Sequence, residues 1–428
     1  MIYRMIISLM LGGMLGLSPL VANEAIAEKS PHEDGYSLDA ILQLAFERNP
    51  RMEVGKGIID ERKGAQRIAA AYPNPELDTW FGYSEFRDSV DTIITLERFI
   101  TVSQPLEWNP KRDARKRVAK LGLEGARASL EEVKVILKSD VKEAFYNLLF
   151  AEKRVKVGQK NLAIVEGLLR RVRTRVQAGD APPFEEVRVN VELMKVRKEV
   201  VRARGAVRAA RATLNTLTAG ALGFNYFLKG DFAKWPKGLE LDVLTAYALE
   251  QHPALKKLQK FVEQASHSHI QEKEARIPNL TVSGSYQRDA GREAYIGGLR
   301  VALPVWYLRE GEIAQALASQ RQFEGQLLRM QNALIRDVNR NFQLSSTAAG
   351  QITTYQEGLL KQARESVRIA RVSFKYGETS LLQVIDAQRV YWDTLIGYAQ
   401  ARLDLSIAMT KLERSLGRVP WANERPSS

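Results

Sequence analysis

This 428-residue chain is written twice, with a spacing of about 200 residues between copies. Leu44-Ala45-Phe46-Glu47-Arg48-Asn49-Pro50 returns as Tyr247-Ala248-Leu249-Glu250-Gln251-His252-Pro253, and Pro75-Glu76-Leu77 returns as Pro278-Asn279-Leu280. Pro105 returns as Pro304, Asp140 with Phe145 as Asp337 with Phe342, and Gly179 as Gly377. The shared order restricts the fold to two copies of one unit. The spacing is constant at Pro50, Pro75 and Tyr83 and then falls by four before Pro105, which places a short deletion in one loop.

Within each copy the punctuation predicts the same elements. A helix starts near Asn49-Pro50 or His252-Pro253 and stops before Pro73 or Pro278, because proline disfavours helix at the residue ahead of it. Two strands follow. Leu280, Val282, Gly284 and Tyr286 alternate with Thr281, Ser283, Ser285 and Gln287; on the return, Leu299, Val301 and Leu303 alternate with Arg300 and Ala302. Leu77, Thr79, Phe81, Tyr83 and then Ile94, Leu96, Ile100, Val102 carry the same period less regularly. Strands of about ten residues are long enough to cross a bilayer when tilted.

A long proline-free helical stretch comes next, from about Lys111 to Ala178 and from about Glu310 to Tyr376. Leu162, Val165, Leu169, Val172, Val176 and Leu360, Ala363, Val367, Ala370, Phe374 step by three and four, the narrow seam of a coiled coil. Each stretch ends at a Gly turn, Gly179-Asp180 or Gly377-Glu378, and a second helix returns over about 183–217 and 380–416. A helix of about 67 residues is about 100 Å long, too long for a compact domain. The two shorter helices of each copy, stacked end to end, nearly match it. Four strands are too few to close a barrel and an open edge is not tolerated in lipid, so several chains must share one; two would give about eight strands around a filled interior, three about twelve with room for a lumen.

Composition enters as exclusion. With no Cys and four His, disulfides, Cys-based zinc sites, thiol nucleophiles and His-rich metal chemistry are ruled out or disfavoured. The net charge of +13 is spread among 50 acidic residues; the clusters at Lys111–Arg117 and Arg170–Arg175 lack interleaved aromatics and read as solvated helix faces rather than a nucleic-acid site. Arg4, the apolar run Met5 to Val21 and Ala25-Ile26-Ala27 form a secretory signal peptide over 1–27; Gly12, Gly13, Gly16 and Pro19 argue against a retained anchor. No catalytic triad context, P-loop or dinucleotide fingerprint is present, so neither an enzyme nor a cofactor is expected.

The signal segment, the duplicated helix-strand-strand-helix-helix order and the paired Gly turns resemble the TolC-type outer-membrane efflux family over nearly the whole mature chain. Tyr72-Pro73-Asn74-Pro75-Glu76-Leu77, Ser103-Gln104-Pro105-Leu106-Glu107 with Lys111-Arg112 and Ala114-Arg115, and Ala178-Gly179 with Phe184-Glu185-Glu186-Val187-Arg188 resemble its cobalt-zinc-cadmium (CzcC-like) branch; Trp108-Asn109-Pro110 replaces a Gly-rich step. The resemblance implies a mainly α fold with a membrane β part: a homotrimer with a shared twelve-stranded barrel and a periplasmic coiled-coil tunnel. The repeats would occupy 28–220 (hairpins about 77–104 and 111–217) and 246–417 (hairpins about 280–304 and 310–416), with an equatorial segment at 221–245 and a tail at 418–428. It implies a passive exit duct in the outer membrane that works with a periplasmic adaptor (membrane fusion protein) and an inner-membrane RND-type proton-driven pump, for divalent heavy-metal cations. Drug efflux or type I secretion through the same duct, and a soluble periplasmic scaffold, are the alternatives.

Carried over residue by residue, the resemblance puts a periplasmic gate at Asp386, with Gln383 at a second position usually acidic. Asp386 is alternatively a helix N-terminal acid favoured by the dipole. Glu185 matches an inter-helix lock whose usual tyrosine and arginine partners are replaced by Phe374 and Thr379. Adaptor docking falls on the tips at Gly179, Asp180, Gly377 and Glu378. Trp108, Trp306 and Tyr307 form an interfacial belt or pack strand against helix. Trp80, Phe81, Tyr83 and Phe86 face lipid or form the other girdle. His267 and His269, with Glu263 and Glu272, are a weak metal candidate, since positions two apart on a helix face different ways.

Overall fold

The computed structural model describes residues 35–87, 92–236, 238–289 and 292–418. The expected signal peptide and the tail beyond Arg418 lie outside the described residues. The first repeat runs β1 (Tyr36–Ser37), α1 (Leu38–Arg48), α2 (Pro50–Ala70), β2 (Glu76–Arg87), β3 (Thr92–Leu106), α3 (Asn109–Gln177) and α4 (Pro183–Leu217). The second runs β4 (Leu228–Lys229), α5 (Leu241–Gln251), α6 (Pro253–Glu274), β5 (Leu280–Asp289), β6 (Arg292–Val301), α7 (Glu310–Thr354), α8 (Leu360–Lys375) and α9 (Leu381–Leu416). β1 pairs in parallel with β4, joining the starts of the two repeats.

α3 is 69 residues long, about 104 Å at 1.5 Å per residue. Its antiparallel companion is built from two helices, and Asn49 makes the joint. The Asn49 Oδ1 accepts the Arg51 N–H at 3.0 Å and caps α2, while its Nδ2 donates to the Leu217 carbonyl at the end of α4, 2.8 Å away. His252 repeats this with an imidazole. Nδ1 accepts from the Ala254 N–H at 3.1 Å, so the proton is on Nε2, which donates to the Arg414 carbonyl in the last turn of α9 at 3.1 Å. Helix ends that would otherwise leave unsatisfied polar groups are thus made into collinear joints.

The apolar core is duplicated around these joints. Ile41, Ala45, Leu137, Val141, Phe145 and Leu214 are buried in the first cluster; Leu244, Ala248, Val338, Leu412 and Leu416 are buried in the second. A third cluster runs down the seam, where Val165 and Val172 meet Val189 and Leu193 of α4 and Leu381 and Ile385 of α9. The close approach of α3 to α6 requires Gly125, because a Cβ there would stand 2.5 Å from the Phe261 ring.

The second long helix differs from the continuous one expected: Tyr355–Leu359 form a π-turn between α7 and α8. Asp337 follows Asp140 by 197 residues and Gly377 follows Gly179 by 198, so the second repeat holds one additional residue between these marks. A π-turn absorbs one residue without breaking the helix. Gly397 of α9 makes room for it, since a Cβ there would overlap the Tyr355 hydroxyl.

The four long strands form one antiparallel sheet in the order β2-β3-β5-β6. β2 and β6 are its edges, and neither has a second strand partner among the described residues. No described helix is long and apolar enough to cross a membrane.

Candidate functional site

The register assigns the side chains of this sheet to two faces. Leu77 lies opposite Val102, Val102 opposite Gly284, Val282 opposite Leu299, and Leu280 opposite Val301. Alternation puts all of these on one face with Phe81, Tyr83, Leu96, Ile100 and Tyr295. That face is apolar and uncovered: Leu77, Phe81, Tyr83, Tyr295 and Leu299 are each at least two-thirds exposed. The other face carries Thr101, Ser283, Ser285, Ser84 and Thr95, tied by hydroxyl bonds between Thr101 and Ser285 at 2.9 Å and between Ser84 and Thr95 at 3.2 Å. An apolar outer and polar inner face is the pattern of a transmembrane barrel wall. Trp80 pairs with Phe99 on the polar face, so it does not belong to an outer aromatic girdle with Phe81 and Tyr83. One residue of offset reverses a strand side chain. Phe86 lies on β2.

The polar face also carries charge. Glu76, Asp78, Glu97 and Asp289 alternate onto it, against Arg292 and Arg300. The charged residues of the polar face are therefore predominantly acidic although the whole chain is basic.

Below the sheet the strands pass into helices through an exposed apolar shelf. Trp306 is 96% exposed, with Trp108, Leu303, Val305 and Tyr72 also in the open. Tyr307 differs from Trp306: its hydroxyl donates to Glu312 at 2.6 Å and accepts the Gly311 N–H at 3.1 Å, serving the start of α7. Two members of the basic cluster at 111–117 are turned to structural use. Arg112 donates to the Ala70 carbonyl at 2.6 Å, and Arg115 donates to the carbonyls of Ala69 and Ala71 at 3.1 Å. Together they satisfy the last carbonyls of α2. Here the guanidinium groups cap a helix rather than line a solvated face.

At the opposite end, α3 and α8 terminate in the same turn. The Asp180 N–H bonds the Arg175 carbonyl at 2.8 Å and the Gly179 N–H bonds Val176 at 3.1 Å; Glu378 bonds Ser373 at 2.9 Å and Gly377 bonds Phe374 at 3.2 Å. Gly179 and Gly377 both take φ of +79°, the left-handed cap that glycine adopts without strain. Phe374 packs against the seam cluster, and the Arg175 guanidinium lies over its ring at 5.2 Å. Glu185 sits in the first turn of α4 with its Oε2 buried and unpartnered among the described residues. Thr379 is half-buried in the turn, and the exposed Gln383 donates its N–H to the capping Ser380 hydroxyl at 3.4 Å.

Asp386 is exposed and lies 3.7 Å from Arg389, which also reaches Glu192 of α4 at 3.4 Å. α9 has no acid in its first turn, so the dipole reading of Asp386 does not apply. The Arg389–Glu192 contact links the two helical hairpins, and a second link stands beside it. Arg371 donates to Gln388, which donates to Asn161 at 3.4 Å. Burial, with Arg171 nearby, pulls the Arg371 pKa below its ordinary value. Neither link was read from the sequence; the one available signal was a buried glutamine, Gln388, on an otherwise apolar seam. His267 and His269 are half-buried on α6, and no group of three or more potential ligands is gathered among the described residues.

Comparison with known proteins places this architecture. A family profile described as Outer membrane efflux protein matches residues 41–220 and 244–418. The chain is 27% identical over 397 residues to the cobalt-zinc-cadmium resistance protein CzcC of Cupriavidus metallidurans, covering 89% of this chain and 90% of that one. It is 23% identical over 416 residues to the pyoverdine export outer membrane protein OpmQ of Pseudomonas aeruginosa, covering 91% and 86%. Among solved structures it is similar in fold to CusC, with a TM-score of 0.76 at 15% identity over 89% of this chain and 92% of that one. The outer-membrane channel OprN gives a TM-score of 0.74 at 16% identity, over 89% and 90%.

Proposed function

Since the chain belongs to the outer membrane efflux protein family, we propose that three copies close one twelve-stranded barrel and that the joined helices below it form a periplasmic tunnel. The chain is an outer-membrane efflux channel. The observation that carries the trimer is the open sheet: four strands, two edges without a strand partner among the described residues, and an apolar face left bare. Lipid does not tolerate unpaired strand edges, two chains would make about eight strands around a filled interior, and three make about twelve around a lumen.

The duct is passive, and an inner-membrane RND-type pump with its periplasmic adaptor supplies the energy. The adaptor docks on the tips at Gly179, Asp180, Gly377 and Glu378. Asp386 and Gln383 line the entrance, with Glu185, Phe374 and Thr379 beside them, and of these three Phe374 ties the hairpins together through Arg175. Trp108, Trp306 and Tyr307 mark the periplasmic edge of the bilayer. The cargo is a divalent heavy-metal cation. Two findings support this: the relative named for cobalt, zinc and cadmium resistance, and the acidic inner face made by Glu76, Asp78, Glu97 and Asp289. A second reading, export of a small organic molecule, is favoured by the pyoverdine-export relative.

Deleting the gene and comparing growth across zinc, cobalt, cadmium, nickel and copper with growth across dyes, detergents and antibiotics tests the cargo. Metal-only sensitivity, restored by the intact gene, is the expected result. Sensitivity confined to organic compounds keeps the duct and overturns the metal.

A further inference from the structure

One row of the sheet does not suit a lipid-facing wall. Phe81 lies opposite Arg98, Arg98 opposite Arg288, and Arg288 opposite Glu293, so these four side chains cross the sheet at one level. Alternation places the row on the apolar outer face, above Leu77, Val102, Val282 and Leu299. Arg98 and Arg288 are both exposed. They are direct cross-strand neighbours, an arrangement in which like charges repel and Cβ atoms stand about 5 Å apart. Arg288 has one partner, Glu293 at 3.7 Å, with both side chains about half exposed. Arg98 makes no ion pair or hydrogen bond through its side chain among the described residues. Glu85 stands on the same face two pairs farther out, opposite Ile94.

The height of the row gives it a setting. Arg98 is eight residues along β3 from Leu106 at the helix end of the sheet, and Arg288 is eight along β5 from Leu280. Eight residues rise about 27 Å along a strand and about 20 Å across a membrane at the usual tilt. The apolar band of a barrel is about 25 Å tall. Because the helices leave the opposite end of the sheet toward the periplasm, the row falls where the acyl chains of the outer leaflet give way to headgroups. An arginine is costly at the bilayer midplane and costs little near its edge, so the position is tolerable and the repulsion is the remaining cost.

The geometry points to the Arg98–Arg288 pair as a clamp for the phosphate of an outer-leaflet lipid. Two planar guanidinium groups on adjacent strands present paired N–H donors to one tetrahedral anion, the recognition that arginine performs better than lysine. An anion between them turns cross-strand repulsion into a shared attraction. The apolar rows on the membrane side of the pair, Ile100 with Tyr286 and Leu77 with Val102, offer surface to the acyl chains of the same molecule. The site repeats three times around the barrel, and it rests on the trimeric reading.

The test uses the full mature protein purified in a neutral detergent. The temperature at which the trimer dissociates is read on a gel with detergent alone, with added diphosphoryl lipid A, and with inorganic phosphate. Lipid A is expected to raise it for the wild type and phosphate is not. R98Q/R288Q should lose most of the rise, R98K/R288K should keep part of it, and Arg300→Gln on the opposite face should keep all of it. A trimer that lipid A does not stabilise, or an equal rise in the R98Q/R288Q protein, overturns the clamp alone, and so does a wild-type rise reproduced by inorganic phosphate. A wild-type protein that runs only as a monomer overturns the shared barrel and the clamp with it.

Discussion

His252 and Asn49 do the same mechanical job with different chemistry, and the difference sets a pH dependence. Both cap a helix through a side-chain acceptor and reach back to a carbonyl of the helix that ends beside them. The His252 joint requires neutral imidazole, because a protonated Nδ1 cannot accept the Ala254 N–H. Burial lowers its pKa, the bond to the Arg414 carbonyl and the Glu132 charge from α3 oppose this, and Arg414 and Lys257 add to it. A base whose pKa is lowered by folding contributes stability that is complete above its unfolded value, about 6.5, and is lost as pH falls through the folded value. Thermal unfolding between pH 7.5 and 4.5 should therefore show a component with a slope of up to about 1.4 kcal/mol per pH unit below about 6.5. His252→Asn, which copies the first repeat, should flatten it; an unchanged slope would place the titration elsewhere.

Among the elements, the π-turn is the one place where the two repeats part company along their long helices. The additional residue between Asp337 and Gly377 is accommodated by Tyr355–Leu359 packing into the notch at Gly397. Gly397→Ala should cost about 1–3 kcal/mol by overpacking. Tyr355→Phe removes the hydroxyl that the new methyl meets first, so the double variant should recover a good part of the loss in a denaturation series. An additive double variant would show that the notch is not the source. The helix joints and Gly turns were legible in the sequence because proline, glycine, asparagine and histidine act over one or two residues. The π-turn was not, since one residue within a long helical pattern changes neither composition nor caps. Nor were α1 and α5, short helices that lie ahead of the helix starts read at Asn49-Pro50 and His252-Pro253.

For the molecule as a whole, the hairpins are held to each other near the tip by Arg389–Glu192, Arg371–Gln388–Asn161 and the stacking of Arg175 on Phe374. In a trimer each of these occurs three times around the entrance. Glu192→Gln with Asn161→Ala should loosen the hairpins, and single-channel conductance in a planar bilayer should rise. Asp386→Ala should raise it as well if the three carboxylates line the opening. A closed-state conductance equal to wild type in Asp386→Ala would remove that residue from the gate. The lock that the family match puts at Glu185, where its usual partners are replaced by Phe374 and Thr379, has no bonded partner for the buried Oε2 among the described residues. The contacts that replace it join residues about 200 positions apart, beyond the reach of any local pattern.

The sequence by itself determined the duplicated unit, the alternation of its strands, the seam of its long helices and hence the family, because these depend on periodicity and on residues that act locally on the backbone. The tertiary structure decided which face of the sheet each charge occupies, which arginines cap helix ends, and which polar groups join the hairpins. Strand register and helix rotation fix those outcomes, and both are set by packing between segments distant in the chain. An offset of one residue sent Trp80 to the polar face, and the same register brought Arg98 beside Arg288.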